Sequence, residues 1–150
     1  MRKIDEIIVH CSATPRGREV KAADIDRWHR ERGFRCIGYH YVVGLDGRIE
    51  RGRTESETGA HCKGHNARSI GVCYVGGLST DGKVALDTRT DEQRVALTQL
   101  IMELKERYPG ARVYGHRDFA NKECPCFDAR REFGEGRVGR VRPVGHVGRV

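Results

Sequence analysis

The chain reads as an α/β domain with a central mixed β-sheet flanked by helices on both faces. Three observations predict this. Ile7, Ile8, Val9 and Cys11 are apolar on both faces of a strand, and Ser69–Val75 is another run of buried type, as in strands covered on both sides. Segments with helical period, 22–32 and 90–107, alternate with such runs. Asp46-Gly47, a pair that tolerates positive φ, separates two short strand-like runs, so one strand pair is antiparallel and the sheet is mixed.

Taken in order, Glu6–Cys11 is expected as a central strand. Ala22–Arg32 is expected as a helix, with Ile25 and Trp28 one turn apart and Gly33 as its stop. Gly38–Val43 is read as a strand that turns through Leu45-Asp46-Gly47-Arg48 and pairs with 48–51. The stretch 54–68 lacks periodicity and is read as a long loop, a type often tied to function in compact domains. Ser69–Val75 is a second buried strand, and 79–89 a turn-rich excursion. Thr90 and Gln93 form a capping-box pattern. The helix they open runs to Arg107, with Val95, Leu97, Leu100, Ile101 and Leu104 facing inward and Pro109-Gly110 ending it. Ala111–Gly115 is a short strand and Phe127–Phe133 a last helix. One domain, 1–133, is expected, followed by a disordered Gly/Arg/Val-rich tail at 134–150.

The 150 residues suffice for an apolar core without a metal or disulfide staple, so a metal here is expected to serve catalysis. The net charge of +7 suits an anionic partner: nucleic acid, a membrane surface or an anionic wall polymer. Of that charge, +3 lies in 134–150, from four arginines and one glutamate, which leaves a modest +4 on the folded part. Nucleic acid is the least favoured partner, since the basic tail has no interleaved aromatics. The six cysteines show no CxxC spacing, so no disulfide framework is expected. A charged amino terminus without an apolar segment predicts cytosolic synthesis without a signal peptide, and no apolar run is long enough for a transmembrane helix.

The segment from His116 to Cys124 carries the chemistry. It places an imidazole, the Lys122 ammonium and a thiol in one loop after a strand. Imidazole and thiolate are good zinc ligands. A neighbouring ammonium can stabilise negative charge developing on oxygen. Two ligands do not make a site, and the best candidate for a third is His10, also at a strand's carboxyl end, where open α/β sheets place their sites. Three ligands would leave an open position, as hydrolytic zinc centres require. Each residue alone has a second reading: His10 as a hydrogen-bonded core histidine, Cys124 as a small buried apolar side chain. Spacing alone does not choose between them.

Four ordered motifs add a resemblance. Ile8-Val9-His10-Cys11-Ser12-Ala13-Thr14, Gly38-Tyr39-His40-Tyr41, Ser69-Ile70-Gly71-Val72-Cys73-Tyr74-Val75-Gly76-Gly77, and Tyr114-Gly115-His116-Arg117-Asp118 with Lys122-Glu123-Cys124-Pro125 resemble the type 2 N-acetylmuramoyl-L-alanine amidases. That superfamily includes the phage T7 lysozyme branch, to which the motifs are most similar, and the peptidoglycan recognition proteins. The resemblance implies zinc held by His10, His116 and Cys124, with Tyr39 and Lys122 catalytic. It implies hydrolysis of the amide between N-acetylmuramic acid and L-alanine in peptidoglycan by a monomeric phage or prophage endolysin, released through a holin-like partner. The alternatives are a cytosolic wall-recycling amidase, a module that binds peptidoglycan without cleaving it, and an amidase that also inhibits an RNA polymerase. The retained thiol at Cys124 favours cleavage, because some recognition proteins lack that ligand. His61 and Asn66 match a region of the T7 branch and are expected to line the substrate groove, or else to be simple loop residues. Cys126 stands where that branch has serine, and is read as a packing residue rather than a competing ligand. Cys11, on the other face from His10 by strand alternation, is discounted as a ligand. Asp118 is expected either to orient His116 or to stabilise its turn.

Overall fold

The computed structural model describes residues 2–134; of the predicted tail, all but Gly134 lies outside them. The elements run β1 (Glu6–Cys11), β2 (Thr14–Pro15), α1 (Ala22–Glu31), β3 (Tyr41–Val43), β4 (Ile49–Arg51), β5 (Ser69–Tyr74), β6 (Gly77–Leu78), α2 (Asp91–Arg107), β7 (Arg112–Gly115) and α3 (Ala129–Glu132). The main sheet has the order β4-β3-β5-β1-β7. All its pairs are parallel except β3–β4, closed by the hairpin with Gly47 at φ +86°. The expected mixed α/β sheet is therefore the observed one.

Alternation along the strands divides the core. Ile7, Val9, Tyr41, Val43, Ile70, Val72 and Tyr74 face α2 and α3. Val42, Cys73 and Val75 face α1 through Ile25 and Ile37. Both faces of the central strands β1 and β5 are thus covered, which is why both are rich in apolar residues at successive positions.

Three expectations need correction. The strand expected at 38–43 begins only at Tyr41, because Gly38 lies against the 54–68 loop: a Cβ there would meet the Ala60 carbonyl oxygen at 2.0 Å. Val95 is exposed, and the inward positions of α2 are Gln93, Ala96, Leu97, Leu100, Ile101 and Leu104. The last helix spans only Ala129–Glu132, with Asp128 accepting from the Arg131 backbone N–H as its cap. Residues 124–127 instead form a turn packed on the α2 face.

Gln93 does more than close the capping box. Its Oε1 accepts from Thr90 N at 2.9 Å, and Thr90 Oγ1 accepts from Gln93 N at 3.0 Å. Its Nε2 donates to the carbonyls of Val43 and Val75 at 3.2 and 2.9 Å, sewing the helix start to the ends of β3 and β5. The side chain is fully buried. Gln93→Leu would leave buried donors and acceptors unpaired, a cost of roughly 3 kcal/mol by the usual penalty per orphaned group. Denaturant unfolding measures this; a loss below about 1 kcal/mol would show that these bonds contribute little.

Candidate metal centre and active-site groove

The parallel pairing of β1 with β7 builds the site. Val9 pairs with Gly115, so His10 and His116 emerge side by side where the two strands end. Their rings lie 4.6 Å apart between centroids. The chain then turns through a short 3-10 helix, His116–Asp118, and returns Cys124 to the same place. The Arg117 N–H donates to the Cys124 carbonyl at 2.8 Å, closing this loop. Tyr74 Oη donates to the Pro125 carbonyl at 2.8 Å and fastens it to the core. The Cys11 backbone N–H donates to Cys124 Sγ at 3.2 Å.

The candidate ligand atoms of His10, His116 and Cys124 lie within 4.8 Å of one another, and among the described residues this is the group suited to hold a metal ion. His10 Nδ1 faces Cys124 Sγ at 3.9 Å. Burial holds His10 well below its ordinary pKa, helped by His61, His116 and Lys122. Burial, then the Lys122 charge, also lowers His116. Both imidazoles are therefore neutral near pH 7, with lone pairs to offer. Two neutral imidazoles and a thiol are a donor set that fits zinc.

Two of these ligands, His116 and Cys124, line an open groove of about 790 Å³, while His10 is buried. Tyr39 and Lys122 both line it. The Tyr39 ring lies 5.0 Å from that of His10. Burial, then the surrounding cysteines, raises its phenol well above the ordinary value, so the O–H stays protonated as a donor. Lys122 is exposed at the rim.

Two sequence expectations are refined. His61 and Asn66 both line the groove, but each also braces the site from within. Asn66 Oδ1 accepts from the His61 and Cys62 backbone N–H groups at 2.8 and 2.9 Å. His61, 9% exposed, places Nδ1 2.8 Å from His10 Nε2. Asp118 takes the turn-stabilising role: its Oδ2 accepts from Gly115 N at 2.8 Å. Cys126 Sγ lies 4.0 Å from Cys11 Sγ, outside the ligand group, and that contact and burial push its thiol pKa up. Trp28, Phe34 and Arg32 also line the groove, which was not anticipated. Trp28 lies one turn from Ile25 in α1, and helical period does not tell a core-facing from a groove-facing indole.

The family model described as N-acetylmuramoyl-L-alanine amidase matches residues 1–127. The chain belongs to the N-acetylmuramoyl-L-alanine amidase family. It is 42% identical over 127 residues to the endolysin of Escherichia phage T7, covering 85% of this chain and 83% of that protein. It is also 42% identical over 130 residues to the endolysin of Klebsiella phage KP32, covering 87% and 85%. Among solved structures, the amidase LysC from Clostridium intestinale superposes with a TM-score of 0.74 at 28% identity, covering 87% of this chain and 82% of that one. Drosophila PGRP-LB gives 0.74 at 25% identity, with 91% and 82% covered. The family resemblance read from the four motifs is borne out. The expected enzyme class, an amidase hydrolase, follows from membership.

A histidine whose folded-state pKa lies below 6.5 is neutral in the fold and gains a proton on unfolding, so its stabilising effect is present above pH 6.5 and lost as pH falls. Burial lowers His61 to about 3, and His10, His29, His40 and His116 are lowered too. Between pH 6.5 and 5, above the carboxylate range, His61 alone should remove about 2 kcal/mol from the metal-free protein. Urea unfolding across that window reads the loss; a flat profile would contradict neutral buried imidazoles.

Proposed function

We propose that this family member is a zinc-dependent endolysin that hydrolyses the amide between the lactyl group of N-acetylmuramic acid and the L-alanine of the stem peptide. The observation that carries the reading is the convergence of His10, His116 and Cys124 beside a groove that also holds Tyr39 and Lys122. Zinc, when bound, supplies a Lewis acid that polarises the scissile carbonyl and lowers the pKa of water.

The chain's own groups do the rest. The open groove gives a polymer strand access, and Trp28 and Phe34 on its lining offer apolar faces to the saccharide or peptide. Tyr39 Oη, kept protonated, donates a hydrogen bond to the oxygen that gains charge as the carbonyl carbon becomes tetrahedral. Lys122, exposed on the lining of the same groove, brings a positive charge to that region. A phenol and an ammonium thus stand where other hydrolytic zinc sites use a carboxylate. Cys124 distinguishes cleavage from recognition, since a thiolate anchors the metal that a non-catalytic binding module would not need. No helix among the described residues is long and apolar enough to cross a membrane.

Digestion of purified peptidoglycan tests the reading. Mass spectrometry should find stem peptides with a free L-alanine amino terminus; bound but uncut polymer would instead support a binding module. Chelation should abolish cleavage and added zinc restore it; chelator-resistant cleavage would remove the metal from the mechanism. Lys122→Ala should keep zinc and fold while losing on the order of 100-fold in kcat, the usual cost of removing one charge-stabilising donor. A near wild-type rate would refute the role of Lys122.

A further inference from the structure

His61 has no ligand role in the centre, yet it is buried directly behind one of the ligands. We propose that His61 is a positioning residue: its Nδ1 accepts a hydrogen bond from His10 Nε2–H, which fixes the tautomer and ring angle that present His10 Nδ1 to the metal. This rests on the metal-centre reading above.

The tautomers follow by elimination. His10 Nδ1 is the nitrogen facing Cys124 Sγ, at 3.9 Å, so as a ligand it must be unprotonated. The proton of neutral His10 then resides on Nε2. That atom lies 2.8 Å from His61 Nδ1, which must therefore be the acceptor. Neutral His61 in turn carries its proton on Nε2, which lies 3.2 Å from Ser69 Oγ. Ser69, His61 and His10 thus form a buried relay in which each proton position determines the next. A metal-bound imidazole typically needs such an acceptor on its far nitrogen, and its loss typically costs 10–100-fold in affinity.

The fold invests several features in placing this one ring. The rings of His10 and His61 stand edge to face, 4.9 Å between centroids at 89°. Glycines wall the His61 ring. A Cβ at Gly71 would lie 2.5 Å from its Cδ2, and one at Gly59 would lie 2.7 Å away. Gly71 lies in β5 between Ser69 and Cys73, on the face that carries His10's neighbours, so the missing side chain opens the seat the imidazole fills. Asn66 holds the backbone at His61 from the other side. A groove-lining residue chosen only for substrate contact would need neither the relay to Ser69 nor a glycine-walled seat.

Two substitutions separate positioning from packing. In His61→Asn, Oδ1 stands the same number of bonds from Cβ as the lost Nδ1 and can still accept from His10. In His61→Gln, the amide reaches instead toward Ser69, as Nε2 did, and the bulk is better kept. Zinc affinity would be read by competition with a chromophoric chelator, and apo thermal unfolding would be followed in parallel. The wild type should bind zinc, His61→Asn should stay within about threefold of it, and His61→Gln should lose 10–100-fold, the usual cost of removing such an acceptor. Long-range proton–nitrogen NMR of the zinc form should show His10 protonated at Nε2 in the wild type and in His61→Asn. A packing role predicts the reverse order of affinities, and that order would overturn the proposal, as would wild-type affinity in both variants. A wild type that binds no zinc would overturn the metal-centre reading and the proposal with it.

Discussion

The site depends on one constraint: β1 is central and parallel to both its neighbours. Parallel strands end at the same edge of a sheet, so whatever follows each strand meets its counterpart there. On one side the register sets Val9 beside Gly115, and His10 meets His116. On the other it sets His10 beside Cys73 in β5, whose preceding Gly71 leaves room for His61. An antiparallel partner for β1 at either side would send one of these groups to the opposite edge. The apolar layers on both sheet faces, more than any contact within the site, hold the register, since a one-residue slip would turn His10 into the α2 face.

Burying several imidazoles in one place has an electrostatic consequence. His10, His40 and His61 are each held below their ordinary pKa, chiefly by burial, and the positive groups nearby push the same way. Neutral rings must then satisfy their nitrogens by hydrogen bonds. The His40 ring does so by accepting from Gly71 N at 3.0 Å through Nδ1 and pairing its Nε2 with the Glu57 carbonyl at 2.8 Å. Charge suppression and hydrogen-bond satisfaction are thus the same problem here, and solving it leaves neutral donors for a cation.

A functional group on a loop needs a loop that does not move. The 54–68 segment contributes His61 and Asn66, and it is pinned from several directions. Arg2 donates to the carbonyls of Glu55, Asn66 and Ala67. Glu55 accepts from Tyr108 and Arg107 at the carboxyl end of α2. His65 pairs with Glu6 at 3.0 Å and stacks on Phe119 at 3.8 Å, joining this loop to the one that carries Cys124. Dense polar anchoring of this kind gives an aperiodic segment the rigidity that a positioned imidazole requires.

Much of this was legible in residue order. Alternation of buried strands with helical periods determined the α/β class. The Asp46-Gly47 turn determined the antiparallel edge, and Thr90 with Gln93 determined where α2 starts, because these are local effects of backbone preference and nearby side chains. The order of four motifs determined the family, and with it the identities of His10, Tyr39, His116, Lys122 and Cys124 as candidates. What tertiary structure alone decided were relations across long sequence separations. The bond from His61 to His10 spans 51 positions, and the Gln93 amide reaches a carbonyl 50 positions away. No periodicity encodes such pairs. Whether a histidine is a ligand, a brace or a groove wall depends on which nitrogen faces which neighbour, and that follows only from how the parallel strands and the pinned loop meet.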